Sequence, residues 1–167
     1  MPQNSALIFG VGPRQGVGAE LCHRAASRGL HVFVNGRTQA KINAVVADIE
    51  AAGGSATPLL ADVTQESELS KALQTVAADN RPLELTIYKA GNNRPEKFLD
   101  VPPEVYEGMW RGICFGGFLA AQATLRLMLA QQGESEKQSL FFTGASGSLR
   151  GKAGFSAFAS GKGALRM

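Results

Sequence analysis

The chain alternates between two hydrophobic rhythms. Short apolar runs at residues 6–9, 32–34, 56–60, 83–88 and 139–143 have the length and the aliphatic or aromatic content of buried strands. Between them apolar residues recur every three or four positions: Val17, Leu21 and Ala25, then Ile42, Val45, Val46 and Ile49, then Leu69, Leu73 and Val76. That spacing gives each intervening helix one apolar face. The first helix starts near Gln15. Thr38 is suited to cap the second and Gly53-Gly54 to stop it. Pro58 weakens the third strand. Pro102-Pro103 opens the longest helix, residues 104–131, with Val105, Met109, Ile113, Gly116, Ala120 and Leu127 on one side. A last helix should begin near Phe155.

Strands alternating with helices require right-handed crossovers, and hence an α/β fold with a parallel sheet covered on both faces. No composition break marks a second domain, so residues 1–167 read as one unit. The sequence ends at Met167, inside the last helix and without a stop signal. The domain is therefore expected to be truncated after the fifth strand and the start of the following helix.

Composition narrows the function. With 44% hydrophobic and 19% charged residues, the chain can form a core, which excludes a disordered protein. No apolar run reaches the roughly 18 residues of a membrane span, and the first residues lack a secretory pattern. Cys22 and Cys114 lie too far apart in sequence for a zinc-finger or disulfide framework, so a reducing, cytoplasmic setting is expected. The net charge of +3 is a mild excess without long basic runs. A small anionic ligand accounts for local arginines as well as a polynucleotide would, and neither nucleic acid nor membrane is expected as a partner.

The most informative stretch runs Gly10-Val-Gly12-Pro-Arg-Gln-Gly16-Val-Gly18, between the first strand and first helix. Glycines there permit a tight turn and let backbone N–H groups approach a pyrophosphate at the positive end of the helix. Val17 can donate its N–H, whereas Pro13 removes one donor. A P-loop is excluded because no Gly-Lys-Ser/Thr follows. The second strand ends Asn35-Gly36-Arg37, without the acidic residue that binds a ribose 2′-hydroxyl. Gly36 leaves space, Arg37 is suited to a 2′-phosphate, and Arg14 is its expected second jaw. NADP is thus expected in preference to NAD.

These residues resemble the short-chain dehydrogenase/reductase family over nearly the whole chain. Gly12, Gly16 and Gly18 match T-G-x-x-x-G-x-G, with Val11 for threonine. Asp62-Val63 matches the pair after strand three, Ala90-Gly91 the second half of N-N-A-G, and Phe158-Ala-Ser-Gly-Lys162 the Y-x-x-x-K motif. The resemblance implies a Rossmann-type doubly wound sheet and hydride transfer between a nicotinamide and a carbonyl or alcohol substrate. It also implies that Asp62 meets the adenine and Lys162 holds the nicotinamide ribose. A homodimer or homotetramer would form through helix 104–131 and the helix carrying Lys162.

The catalytic set departs from that pattern. Phe158 stands where tyrosine would exchange the proton. Ala145 stands where serine is expected, leaving Ser146 or Ser148 to contact substrate. Arg111 to Phe115 contain no asparagine, and Tyr88-Lys89 replace the paired asparagines. Ser160 lies roughly 200° from Phe158 around the helix, whereas Lys162 shares its face. A desolvated Lys162 is then the candidate proton donor. The alternative is an NADP(H)-binding protein without turnover, or a partner subunit of a competent enzyme. Cys22, His23 and His31 read as structural, and Cys114 as packing. Glycines 112, 116 and 117 on the long helix suggest the close approach of another helix.

Overall fold

A computed structural model describes residues 3–131 and 137–167. Among these, one parallel sheet runs in the order β3-β2-β1-β4-β5. Its strands are β1 (Ser5–Phe9), β2 (His31–Gly36), β3 (Ser55–Leu60), β4 (Leu83–Tyr88) and β5 (Ser139–Phe142). Helices α1 (Val17–Ala26), α2 (Gln39–Ala51), α3 (Glu66–Ala78), α4 (Pro103–Trp110), α5 (Gly116–Ala130) and α6 (Ser156–Arg166) make the crossovers and complete the domain. This is the Rossmann-type doubly wound arrangement, with the strand order reversing between β1 and β4.

The continuous apolar runs follow from that architecture. Every residue of β1 and β2 is buried, because helices cover both faces and successive side chains alternate between them. Leu7 and Phe9 join a core with Leu69, Leu73, Val76, Leu119 and Met128 from α3 and α5. Ala6 and Ile8 join Ala19, Cys22, Ile42, Val45 and Ile49 from α1 and α2.

Two helices differ from expectation. On α1 the buried face is Gly18, Ala19, Cys22 and Ala25, while Val17 is 61% exposed. Gly18 causes the rotation: a Cβ there would lie 3.1 Å from the Val11 backbone, so the glycine side turns inward. The long helix is continuous from Pro103 to Ala130, but residues Arg111–Phe115 form a π-helical turn. The extra residue advances the buried stripe, so Thr124 and Met128 are buried and Leu127 only partly. By length and hydropathy this helix could cross a membrane. Its Ile113, Gly116, Leu119, Ala120 and Met128 are instead spent inside the domain.

The helix glycines have two separate causes. A Cβ on Gly116 would meet the Tyr88 hydroxyl at 2.6 Å and Val63 at 2.9 Å, so it makes room for a strand residue. Helix–helix approach accounts for Gly117, set against Leu165 of α6, and for Gly161 of α6, set against Ile113. Gly112 has nothing within 4 Å of its would-be Cβ.

Candidate active site

A crevice of about 580 Å³ opens at the carboxyl ends of β1, β2, β3 and β4, where the strand order reverses. That is where an open α/β sheet binds ligands, and the volume suits a small molecule. Gly10, Val11, Gly12 and Pro13 form one wall; Asn35 to Thr38, Lys41 and Ala61 to Thr64 form the second; Lys89 to Asn92 and Arg111 form the third.

Glycine shapes this crevice at distinct points. Gly10 has φ +80°, and a Cβ on it would lie 2.3 Å from Ala90 Cα, so β1 and β4 close only over a bare backbone and a small partner. Gly36 is similarly confined, with Val11 O 2.4 Å from its would-be Cβ. Gly36 therefore does more than leave space for a ligand: no acidic side chain fits at this position. Gly12 is the reverse case. Nothing lies within 4 Å of its would-be Cβ, so its bare side faces open crevice. Gly16 is the N-cap of α1 and offers no side chain to the first N–H groups, including that of Val17. Those donors and the helix dipole remain available to an anion.

At the β2–β3 end, Arg37 is 72% exposed and lies 3.5 Å from the Asp62 carboxylate, a weak solvent-screened pair. Burial works against the charge on Asp62. Hydrogen bonds from Thr64 N–H and Oγ1, with the charge of Arg37, outweigh burial and hold the carboxyl below its ordinary pKa. Arg14, the expected second jaw, is engaged away from Arg37. It makes a two-point pair with Asp48 of α2, with Nε 2.6 Å from Oδ2 and Nη2 on Oδ1, and it does not line the crevice. Lys41 does, one helical turn beyond Arg37. Thr38 caps α2 through its carbonyl without a side-chain bond, and its side also faces the crevice.

At the β4–β5 end, Lys162 is 7% exposed and its Nζ donates to Thr143 O at 2.5 Å. Burial, then the positive charge of Lys89, lowers its pKa below the ordinary lysine value. Phe158 lies one turn earlier on α6 and packs onto Met109, Ile113 and Ala157. Ser148 Oγ is occupied, donating to Ala145 O at 2.7 Å, while Ser146 is exposed on the same short turn. Ser160 Oγ turns back to Ala157 O. Tyr88 Oη donates to Gly112 O at 2.7 Å, fastening β4 to the π-turn where the family asparagine is expected. Burial pushes the Tyr88 pKa up, and its hydroxyl proton is committed to Gly112 O.

Sequence reasoning missed Lys41, Lys89 and Arg111 as crevice residues. Lys41 had a signal, since it lies in the first turn of the helix that follows Arg37. Arg111 lies over the Phe115 ring at 4.8 Å, a local pairing that does not reveal which cavity it lines.

The profile of the family described as short chain dehydrogenase matches residues 5–167, and the chain belongs to that family. A short-chain dehydrogenase from Rhodopseudomonas palustris superposes with a TM-score of 0.86 at 37% identity, over 99% of this chain and 75% of that one. The short-chain reductase NovJ of Streptomyces niveus is 26% identical over 98% of this chain and 60% of its own length. A variant actinorhodin polyketide ketoreductase solved with NADPH has the same fold, with a TM-score of 0.87 at 19% identity over 98% of this chain and 61% of that one. The chain thus spans about 60% of the curated relatives it matches along nearly its full length, NovJ and an uncharacterized oxidoreductase of Myxococcus xanthus.

Proposed function

We propose that this chain is the coenzyme-binding part of an NADP(H)-dependent short-chain oxidoreductase acting on a carbonyl or alcohol substrate. The observation that carries the reading is the crevice at the strand-order reversal, walled by Gly10 to Pro13, the loop that leads into the uncapped start of α1. The open side of Gly12 and the free helix dipole suit a diphosphate. Arg37, beside a position that rejects any acidic side chain, suits a 2′-phosphate. A bound nicotinamide supplies or accepts the hydride.

The chain's own groups divide the remaining work. Asp62 and Val63 border the adenine side, with Ala90 and Gly91 opposite. Lys162 holds the ribose and, with its lowered pKa, hands a proton to the substrate oxygen. Ser146 contacts substrate, whereas Ser148 must first give up its bond to Ala145 O. Phe158 shapes the pocket and exchanges no proton. That last feature favours a second reading, a coenzyme-binding protein without turnover or a partner subunit, because a hydroxyl is missing where the family's acid stands.

Assembly through helix 104–131 and α6 is supported by Phe118, Leu125 and Leu129, which are exposed along α5. The two described cysteines are unpaired, in keeping with a cytoplasmic setting. Fluorescence titration with NADPH and NADH tests the coenzyme. We expect NADPH to bind at least tenfold more tightly, and Arg37→Asp to erase the difference. An unchanged preference in that variant overturns the assignment of Arg37. Absence of binding by both coenzymes overturns the function.

A further inference from the structure

Lys89 is the crevice residue least accounted for by the reading above. It follows β4, with its N–H bonded to Phe9 O at 3.1 Å, and lines the same cavity as Gly10, Val11, Gly12 and Pro13. Among the described residues it has no carboxylate partner; the arginines at 14, 37, 81 and 94 take part in the ion pairs. Asp62, the one acid among the cavity's lining residues, is already engaged by Thr64 and Arg37.

Lys89 also stands close enough to Lys162 for its charge to disfavour that lysine's protonation. Lys89 lines the cavity with no carboxylate of its own, and an anion received beside it offsets its charge and with it the repulsion. The facing loop is short of donors. Pro13 has no N–H, and Gly16 N–H is spent on Pro13 O at 2.8 Å.

We propose that Lys89 provides the donor the glycine loop lacks, its ammonium bonding a non-bridging oxygen of the coenzyme's diphosphate from the opposite wall. The inference rests on the dinucleotide reading. It makes diphosphate recognition two-sided, with α1 and the loop contributing N–H groups and β4 contributing a full charge.

The test uses calorimetric titration of the whole chain and of Lys89→Asn, Lys89→Met and Lys89→Arg. The probes are NADPH, ADP (a diphosphate without a 2′-phosphate) and adenosine 2′-monophosphate (the converse). A lost charge-assisted bond predicts about a tenfold weaker affinity of the Asn and Met variants for NADPH and ADP. Adenosine 2′-monophosphate should bind unchanged, Arg should restore most of the affinity, and melting temperatures should stay within a degree or two of the unaltered chain.

Equal ADP affinity in the Asn and Met variants overturns the proposal. So does an equal loss for adenosine 2′-monophosphate, which would mark a diffuse field rather than a contact. Failure of the unaltered chain to bind either NADPH or ADP removes the dinucleotide reading and this proposal together. Intact binding with indifferent Lys89 variants removes this proposal alone.

Discussion

Gly10 and Gly12 are two residues apart and answer to different demands. Gly10→Ala places a Cβ at φ +80° against the Ala90 backbone. It should cost about 2–5 kcal/mol from strain plus overpacking, read as a fall in the denaturant midpoint. Gly12→Ala meets open space, so the fold should keep its stability while NADPH affinity drops at least tenfold by titration. Phe158→Tyr restores an ionisable hydroxyl one turn from Lys162. We expect turnover with reactive carbonyl compounds to rise at least tenfold over the unaltered chain, followed by NADPH consumption. Unchanged turnover with intact coenzyme binding would favour the non-catalytic reading.

Residue identities in the crevice were partly legible beforehand. Gly12 and Arg37 line it, each set by its own turn, whereas Lys162 is held on α6 outside that lining. Arg14 was not legible: its partner Asp48 is 34 residues away, on the outer side of α2. A long flexible cation at a loop tip goes to whichever carboxylate the tertiary fold brings near, and sequence proximity to a glycine loop does not reveal that.

At the scale of elements, the strands and helices could be read from hydrophobic spacing, but the long helix could not be read in full. A period of 3.6 assumes a uniform helix, and the π-turn at Arg111–Phe115 inserts one residue into it. Gly112 O, on that turn, is the acceptor for Tyr88 Oη, whose hydroxyl also occupies the space a Gly116 side chain would need. The three features form one unit. Tyr88→Phe should cost about 1 kcal/mol by loss of the bond. Gly116→Ala should cost about 1–3 kcal/mol by overpacking. Since the nearest clashing atom is the hydroxyl oxygen, with Val63 next, the double variant should be less destabilised than the sum of the two. A double-mutant cycle from chemical denaturation measures the coupling, and strict additivity would separate the glycine from the tyrosine.

Across the whole molecule, the end of the sheet opposite the crevice carries its own electrostatic constraint. His31 is buried at the start of β2, with its ring nitrogens 2.6 Å from Ser55 Oγ and 3.0 Å from Thr57 Oγ1 of β3. Burial, then the charge of Arg81, lowers its pKa below the ordinary 6.5, against a smaller opposing effect of Asp79. The unfolded chain therefore binds the proton first. His31 contributes its full stability above pH 6.5, and that contribution declines as pH falls below this value. Melting temperatures across acidic pH should show the slope, and His31→Asn should flatten it. A slope unchanged in the variant would assign the acid sensitivity to other groups.

The two borders of the sheet are built unequally. β3 carries Pro58, which lacks an amide hydrogen and so discourages further pairing on that flank. β5 carries no proline, and Phe141 and Phe142 are 56% and 40% exposed. Blocking of the sheet's edge is thus one-sided: the β3 flank is guarded by its proline, and the β5 flank has no such guard.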